Sequence, residues 1–234
     1  RLVVTMGAYN ENYAPMGRPA EMELQVDAVQ CSFSDSAGKP TPGFKKKKKA
    51  TAAGEEPLEV LHYSFNDGTA SDASGFGNRG QVSGGTFVDA AAGKALQLDG
   101  NGHVDVSKSP SLNPAGKPFT LEALVKARVD DGVILARGAG IHGYALALKD
   151  GKPRFYIRRD NTLTALKADK KVTGQWTHLA AVLSGDKKMI LYVNGKKVAS
   201  RDIPGLITQN PYRPMRLGGS PAAPVGNFSR SLGF

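Results

Sequence analysis

The chain has 234 residues and a formal net charge of +10, with 40% hydrophobic and 7% aromatic residues. This length allows one large β-rich domain with something smaller beside it. The sequence has no apolar run near the ~20 residues that a transmembrane helix needs. Its single cysteine, Cys31, excludes an internal disulfide framework. Glycine and proline, 28 and 14 residues, interrupt nearly every candidate helix, which favours an all-β chain rich in turns.

The first segment, residues 1–35, contains two runs with strand character, Leu2–Thr5 and Glu21–Phe33. It begins inside an apolar alternation, so it reads as cut from something longer. Two strands cannot bury a core of their own. We predict that the segment supplies the last strands of an upstream β domain or, alternatively, that Glu21–Phe33 pairs onto the following domain as an edge strand. Cys31 lies near the end of this run, and we expect a buried or partly buried structural thiol.

The second segment, residues 36–57, is rich in Pro, Gly, Ala, Thr and charge, a composition that cannot bury enough surface to offset the entropy of ordering. Its five consecutive lysines, Lys45–Lys49, make up half of the net charge. No aromatic residues interleave with them, as proteins that bind single-stranded nucleic acids require. We therefore predict a solvated, self-repelling linker rather than a specific polyanion site.

The third segment, residues 58–234, alternates apolar and polar residues over many short runs, the pattern of half-buried antiparallel strands. Asn194-Gly195 between two such runs predicts a hairpin with a type I′ turn, because both turn residues need positive φ. Strands are predicted at Glu59–Phe65, Ala95–Leu98, His103–Val106, Phe119–Ala127, Val133–Arg137, Tyr144–Leu148, Pro153–Ile157, Leu163–Leu166, Trp176–Leu183, Met189–Val193, Lys196–Arg201 and Arg213–Leu217.

Five blocks in this segment are similar to those of one family, in that family's order: Leu61–Val82, Gly93–Val106, Phe119–Arg128, Gln175–Asp202 and Met215–Ser220. They resemble the blocks of the laminin-G-like (concanavalin A-like) jelly rolls, and the resemblance spans roughly residues 58–234, about three quarters of the chain. The resemblance implies an antiparallel two-sheet jelly-roll sandwich. The acidic closing strand of that family has no match here. Because the family's first and last strands are neighbours, an edge would stay open unless residues 1–33 fill it.

Catalytic residues are not predicted. Glucanases of this fold carry E-x-D-x-x-E on one strand, which puts three carboxylates on one face. Glu122 is the only Glu between Leu61 and Phe234, and the four histidines stand in four separate segments. His62 and His178 read as structural strand residues.

A calcium site is predicted in the loop that starts at Asp72, DASGFGNRG, which resembles a glycine-rich loop of the family. Ca²⁺ takes oxygen ligands from short carboxylates, amides and carbonyls in tight loops. Asp72 and Asn78 meet this description, with Asp99 as a weaker third ligand. The alternative is an Asx-turn loop in which Asp72 and Asn78 bond local amides.

A ligand surface is predicted at the rings outside the obvious core rows, Tyr156 and Tyr212, with Arg158 and Arg213 beside them. A ring that stacks on a sugar, next to guanidinium groups that match sulfate or carboxylate, suits an anionic glycan. The alternative is that these rings cap the sandwich and that the arginines keep the surface soluble.

These observations predict a non-catalytic, lectin-like accessory domain of a secreted bacterial multidomain protein, supported by calcium, whose partner is a polysaccharide or glycan. No specific nucleic-acid partner is predicted. Two alternatives remain open. The domain is a protein-interaction, adhesion or spacer module, or it is the non-catalytic tail of a polysaccharide-degrading enzyme or sulfatase.

Overall fold

The structure is a computed structural model that describes residues 24–33, 58–90, 93–98, 100, 102–138 and 140–219; for 24–33 and Leu58 it describes the backbone alone. The predicted linker 36–57, the ligand candidate Asp99 and the side chain of Cys31 lie outside the described residues. In the described part no helix is long and apolar enough to cross a membrane.

The described chain is all-β, as predicted, and contains a single short 3-10 turn, η1 (Pro110–Leu112). The strands are β1 (Leu24–Phe33), β2 (Leu58–Tyr63), β3 (Gly80–Ser83), β4 (Thr86–Ala90), β5 (Gly93–Leu98), β6 (His103–Val106), β7 (Phe119–Ala127), β8 (Gly132–Gly138), β9 (Gly143–Lys149), β10 (Lys152–Arg159), β11 (Thr162–Lys167), β12 (Thr177–Leu183), β13 (Lys188–Val193), β14 (Lys196–Asp202) and β15 (Met215–Leu217).

The strands form two antiparallel sheets, which confirms the predicted two-sheet architecture. Sheet I has eight strands in the order β14-β13-β12-β7-β1-β5-β4, with β2 also paired to β1. Sheet II has seven strands in the order β11-β10-β9-β8-β15-β6-β3. The predicted ranges of β6 and β7 match the observed strands residue for residue. The short strands β3 and β4 were not predicted, because runs of four and five residues carry too little alternation to stand out from loops.

Strand β1 lies inside sheet I and not at its edge. One side pairs with β7, including Gln30 with Glu122, and the other side pairs with β5 at its start and with β2 at its end. The last pair on the β2 side joins Phe33 to Leu58. The segment therefore adds to the sandwich as an interior strand, and the edge position considered from the sequence is not the one observed.

The core lies between the sheets and follows from the alternation of the strands. Phe119, Leu121, Ala123 and Val125, which share one face of β7 because they alternate along it, are all buried. The Phe119 ring reaches across to sheet II, with its centroid 4.8 Å from that of Tyr144. Continuous burial of the apolar face against the opposite sheet is the main stabilising term of such a sandwich.

The hairpin between β13 and β14 has the predicted backbone. Asn194 and Gly195 have φ of 49° and 76°, so both turn residues occupy the left-handed region that a type I′ turn requires. The two histidines predicted to be structural also have partners. Nε2 of His178 lies 3.2 Å from Oε2 of Glu122, and Nδ1 of His62 lies 3.2 Å from Oε1 of Glu59.

Gly80, the first residue of β3, packs against the core too closely for any side chain. A Cβ built there would lie 2.9 Å from the Ala70 methyl and would overlap a methyl of Val104. Because both neighbours are buried and cannot move aside, we expect Gly80→Ala to lower the free energy of unfolding by about 1–3 kcal/mol. Urea denaturation measures the loss. Gly185→Ala is the matched control, because a Cβ there meets nothing within 4 Å, and it should change stability by less than about 0.5 kcal/mol.

Candidate functional site

The carboxylate of Asp72 is surrounded by hydrogen-bond donors of the protein. Its Oδ1 accepts from the backbone N–H of His62 at 3.0 Å and of Ser74 at 2.9 Å. Its Oδ2 accepts from the Ser74 hydroxyl and from the backbone N–H of Asn78, both at 2.8 Å. Partial burial raises the pKa of Asp72, but the hydrogen bonds from Ser74, His62 and Asn78 outweigh it and hold the pKa below its ordinary value. Asp72 therefore organises the loop that joins β2 to β3.

Asn78 is 1% exposed and ties this loop to two other parts of the sandwich. Its Nδ2 donates to the carbonyl of Val60 at 2.6 Å and to the hydroxyl of Ser111 at 2.8 Å. The Tyr63 hydroxyl donates to the Asn78 carbonyl. Within the described part of the chain, the buried Oδ1 of Asn78 has no hydrogen-bond partner. The structure thus brings Asp72 and Asn78 into one loop, as the sequence suggested.

The described residues of this loop do not fit a calcium ion well. Both oxygens of Asp72 already accept two hydrogen bonds each, so a cation would have to displace N–H donors that point at them. The Oδ1 of Asn78 is one buried acceptor, and calcium needs six to eight oxygen ligands. Within the described ranges no group of three or more His, Cys, Asp or Glu side chains could hold a metal. The geometry favours the Asx-turn alternative.

The burial of Tyr156 corrects the prediction that its ring stacks on a ligand. It is 4% exposed, so its ring cannot stack on a sugar. It lies on β10, and its cross-strand neighbours are Ala145 and Ala165, whose small side chains leave room for a buried ring between them. Burial also raises the pKa of the Tyr156 hydroxyl.

Arg158 lies on the same strand and is half-buried. Its Nη1 donates to the carbonyl of Gly140 at 3.1 Å and to that of Asn161 at 3.2 Å, so it joins the β8–β9 and β10–β11 turns. Burial lowers the pKa of its guanidinium. This geometry gives Arg158 a bracing role between turns, which differs from the exposed anion contact predicted for it.

Tyr212 occupies the exposed position that the sequence predicted, and Arg213 beside it is half-buried. Tyr212 is 73% exposed and lies in the loop before β15. The Cζ of Arg213 is 5.4 Å from the centroid of its ring. A second cation, which sequence reasoning missed, lies nearer: Nζ of Lys108, in the loop after β6, is 4.6 Å from the same centroid. Distances of this kind are typical of cation–π pairs.

An open groove of about 550 Å³ lies beside this ring, at the β3 side of sheet II. Its lining combines the edge strand β3, the end of β6 and the loop before β15. The lining residues are Arg79, Gly80, Gln81, Asp105, Val106, Ser107, Lys108 and Pro214. Lys108 therefore belongs both to the groove and to the exposed ring. We call the groove together with Tyr212 and Arg213 the Tyr212 groove.

Among the described residues, the one carboxylate that lines the groove, Asp105, is already paired. Asp105 receives Nε and Nη2 of Arg216 at 2.7 and 3.0 Å, and Nε2 of His103 lies 3.2 Å away. Partial burial raises the pKa of Asp105, but Arg216 and His103 outweigh it and lower the pKa overall. Because Asp105 is neutralised by Arg216, the groove has no free negative charge from this residue. Its excess charge comes from Arg79, Lys108 and Arg213 and is therefore positive.

The two halves of the predicted ligand surface do not converge. In sheet II, three strand steps separate β10, which carries Tyr156 and Arg158, from β15. The cross-strand row that links them runs, in register, through Tyr156, Ala145, Ala136, Arg216, Asp105 and Gln81. At ~4.8 Å per step the two rings are too far apart to share one small ligand.

Three aspartates lie at the end of the strands opposite to the Tyr212 groove. Asp130, Asp131 and Asp150 each lie within 3.0 Å of a basic nitrogen, contributed by Lys171, Lys149 and Arg154. Hydrogen bonds from Lys171 and Thr173 lower the pKa of Asp130. This shift favours the ionised form of Asp130, whereas a general acid needs a raised pKa, and the three ion pairs suit a structural network.

Residues 98–231, more than half of the chain, match a laminin-G-type family model described as the concanavalin A-like lectin/glucanases superfamily. The chain belongs to this superfamily. No curated protein matches the sequence.

Several solved structures share the superfamily fold with this chain. The binding domain of Paraclostridial Mosquitocidal Protein 1 superposes with a TM-score of 0.56 at 20% identity over 63% of this chain and 41% of that one. Domain 4 of AbnA, an extracellular arabinanase of Geobacillus stearothermophilus solved with arabinotriose, superposes with a TM-score of 0.57 at 20% identity over 72% and 86%. The binding domain of botulinum neurotoxin DC in complex with SialylT gives 0.56 at 14% over 68% and 43%.

This chain thus spans less than half of the two toxin domains and most of the arabinanase domain. Identities of this size establish the jelly-roll fold of the superfamily and nothing finer about the ligand.

Proposed function

We propose that this chain is a non-catalytic carbohydrate-binding domain of a secreted bacterial multidomain protein, and that it binds an anionic glycan in the Tyr212 groove. One observation carries the proposal. Tyr212 is 73% exposed, with the ammonium of Lys108 4.6 Å from its ring centroid, beside a groove whose excess charge is positive.

The chemistry of the groove suits a sugar that bears sulfate or carboxylate groups. A tyrosine ring supplies apolar contact area at low entropic cost and stacks on the C–H face of a sugar. The guanidinium groups of Arg79 and Arg213 match carboxylate or sulfate oxygens with two parallel hydrogen bonds. Gln81 adds an amide that can donate to and accept from ring hydroxyls.

The similar structures support the carbohydrate class. Domain 4 of the arabinanase was solved with arabinotriose, and its parent is described as extracellular. The toxin domain was solved with SialylT. Both share the fold with this chain, and the arabinanase domain matches it in length. These likenesses favour an accessory domain beside a catalytic or toxic partner domain.

Calcium is left out of the proposed binding mode. The donors around Asp72 supply what a cation would otherwise supply, which is a fixed loop between β2 and β3. We therefore expect glycan binding to be unchanged when a chelator replaces calcium. Binding that is lost with chelator would overturn this part of the proposal and restore the predicted calcium site.

The test measures binding of the full chain to neutral, uronic and sulfated polysaccharides, with calcium and with chelator. We expect selective binding to one anionic class. Tyr212→Ala should weaken it by about 10–100-fold, the loss typical of a central aromatic contact. Lys108→Met should weaken binding at low salt and reduce its salt dependence, because one ligand charge loses its partner.

Lys196→Met is the matched control, since Lys196 is an exposed cation on β14 of sheet I. It should bind as the unchanged chain does. Equal loss in Lys108→Met and Lys196→Met, with binding to every polyanion, would show that net charge alone causes binding and would refute the groove. No binding to any glycan would favour the protein-interaction alternative.

A further inference from the structure

Arg137 is a cation in the interior of the sandwich, near the end of β8. It is 2% exposed, and its guanidinium donates to the Leu112 carbonyl and, at 2.9 Å, to Oδ1 of Asn210. Both of these partners are uncharged. Its Nε is buried and has no hydrogen-bond partner among the residues that the structure describes. A buried cation without a carboxylate lowers stability compared with an apolar side chain of similar volume. Packing alone therefore does not explain an arginine here.

The two partners of Arg137 belong to the two loops that build the Tyr212 groove. Leu112 ends the turn η1 (Pro110–Leu112), which follows Lys108 closely in the loop between β6 and β7. Asn210 stands two residues before Tyr212 in the loop between β14 and β15. Arg137 thus bonds both loops from inside the sandwich, while the ammonium of Lys108 meets the ring of Tyr212 outside it.

We propose that Arg137 is a positioning residue, which holds the Lys108 loop and the Tyr212 loop in the register that places the ammonium over the ring. The planar guanidinium can donate to two acceptors in different directions, which an ammonium on a single stem does less well. Another hydrogen bond joins the loops, from the Gly116 N–H to the Ile207 carbonyl at 2.8 Å, but these two residues are more distant in sequence from Lys108 and Tyr212 than Leu112 and Asn210 are. The expected effect of Arg137 on ligand affinity rests on the proposed function. Its effect on the geometry of the two loops does not depend on that function.

The test needs no ligand. The protons next to Nζ of Lys108 lie close to the Tyr212 ring, so the ring current should shift their NMR resonances upfield. The variant Tyr212→Leu gives the chemical shift of these Lys108 protons when no ring is present. We expect Arg137→Met, which has similar length and no donors, to lose more than half of the shift. Asn210→Ala, which removes one of the two bonds at an exposed position, should lose part of it. Arg137→Lys should fall between Arg137→Met and the unchanged chain.

A purely structural role predicts a different result. Leu191→Ala, a truncation in the core at β13 of sheet I, is the control for stability loss. If Arg137→Met and Asn210→Ala keep the full ring-current shift at a temperature where all variants are folded, Arg137 does not position the site. A shift lost equally in Leu191→Ala would also overturn the inference, because general destabilisation would explain it.

A second arm measures affinity for the anionic polysaccharide selected with the unchanged chain. We expect Arg137→Met to weaken binding about as much as Lys108→Met does, and Leu191→Ala to leave it unchanged. Unchanged affinity in Arg137→Met would overturn the link to binding. If the unchanged chain binds no glycan, the proposed function fails, and the ring-current result still decides the role of Arg137.

Discussion

A chain shortened to residues 58–234 is expected to lose the cooperative thermal unfolding of the full chain. Strand β1 lies between β7 on one side and β2 and β5 on the other, so its removal leaves the backbone groups of three neighbouring strands unpaired. It also opens sheet I over the apolar core. Unpaired interior edges promote aggregation, and buried backbone groups without partners are costly. Circular dichroism melting and size-exclusion chromatography measure the outcome.

A chain lacking residues 1–20 alone is the control, because it keeps every strand pair described for β1. It should melt as the full chain does. Adding a synthetic peptide that contains Leu24–Phe33 to the shortened chain should restore part of the transition. If residues 58–234 melt cooperatively at the temperature of the full chain, β1 is dispensable, and residues 1–35 are better explained as the end of an upstream domain.

Replacing Asp72 by alanine is expected to lower the free energy of unfolding by about 2–4 kcal/mol. The change leaves the backbone N–H groups of His62, Ser74 and Asn78 and the Ser74 hydroxyl without their acceptor. Each unsatisfied, partly buried donor costs about 1 kcal/mol or more. Asp89→Ala, at an exposed position of β4, is the control and should cost less than about 0.5 kcal/mol. Urea denaturation at pH 7 provides the comparison.

The difference in unfolding free energy between the unchanged chain and Asp72→Ala should depend on pH. The pKa of Asp72 is lowered in the folded state, so its ionised form contributes stability above the unfolded pKa of about 3.9. That contribution is lost as the pH falls through the lower, folded pKa. The difference in stability between the unchanged chain and Asp72→Ala should therefore be constant from pH 5 to 8 and shrink below about pH 4. A difference that depends instead on added calcium would contradict the Asx-turn role and indicate a bound cation.

The fold was predictable where the sequence carries a local signal. The strict alternation of Phe119–Ala127 and the turn signal of Asn194-Gly195 specify a strand face and a hairpin within a few residues of chain. The short strands β3 and β4 carry no such signal, since they exist through pairing with β6 and β5. The interior position of β1 was equally beyond reach, because a strand's neighbours depend on pairing across the whole sheet.

The candidate site was predictable in part for the same reason. Tyr212 and Arg213 are adjacent in sequence and stand in a turn-rich run, which indicates exposure. Lys108 comes from a loop more than a hundred residues away, and nothing local relates it to Tyr212. Tyr156 has the same local pattern of ring and arginines, yet small cross-strand neighbours allow its burial.

Local patterns in the chain are enough to predict its class: alternation predicts the β-strands, turn residues predict the hairpins, and blocks in a fixed order indicate the superfamily. Three further features are visible only in the folded molecule: β1 lies inside sheet I, protein donors saturate Asp72, and Lys108 contacts Tyr212. The two groups of features differ in the sequence distance over which the underlying interactions act. Strand character and turn geometry depend on neighbours in the chain, whereas burial, charge pairing and ring contacts depend on groups that folding brings together across the sandwich.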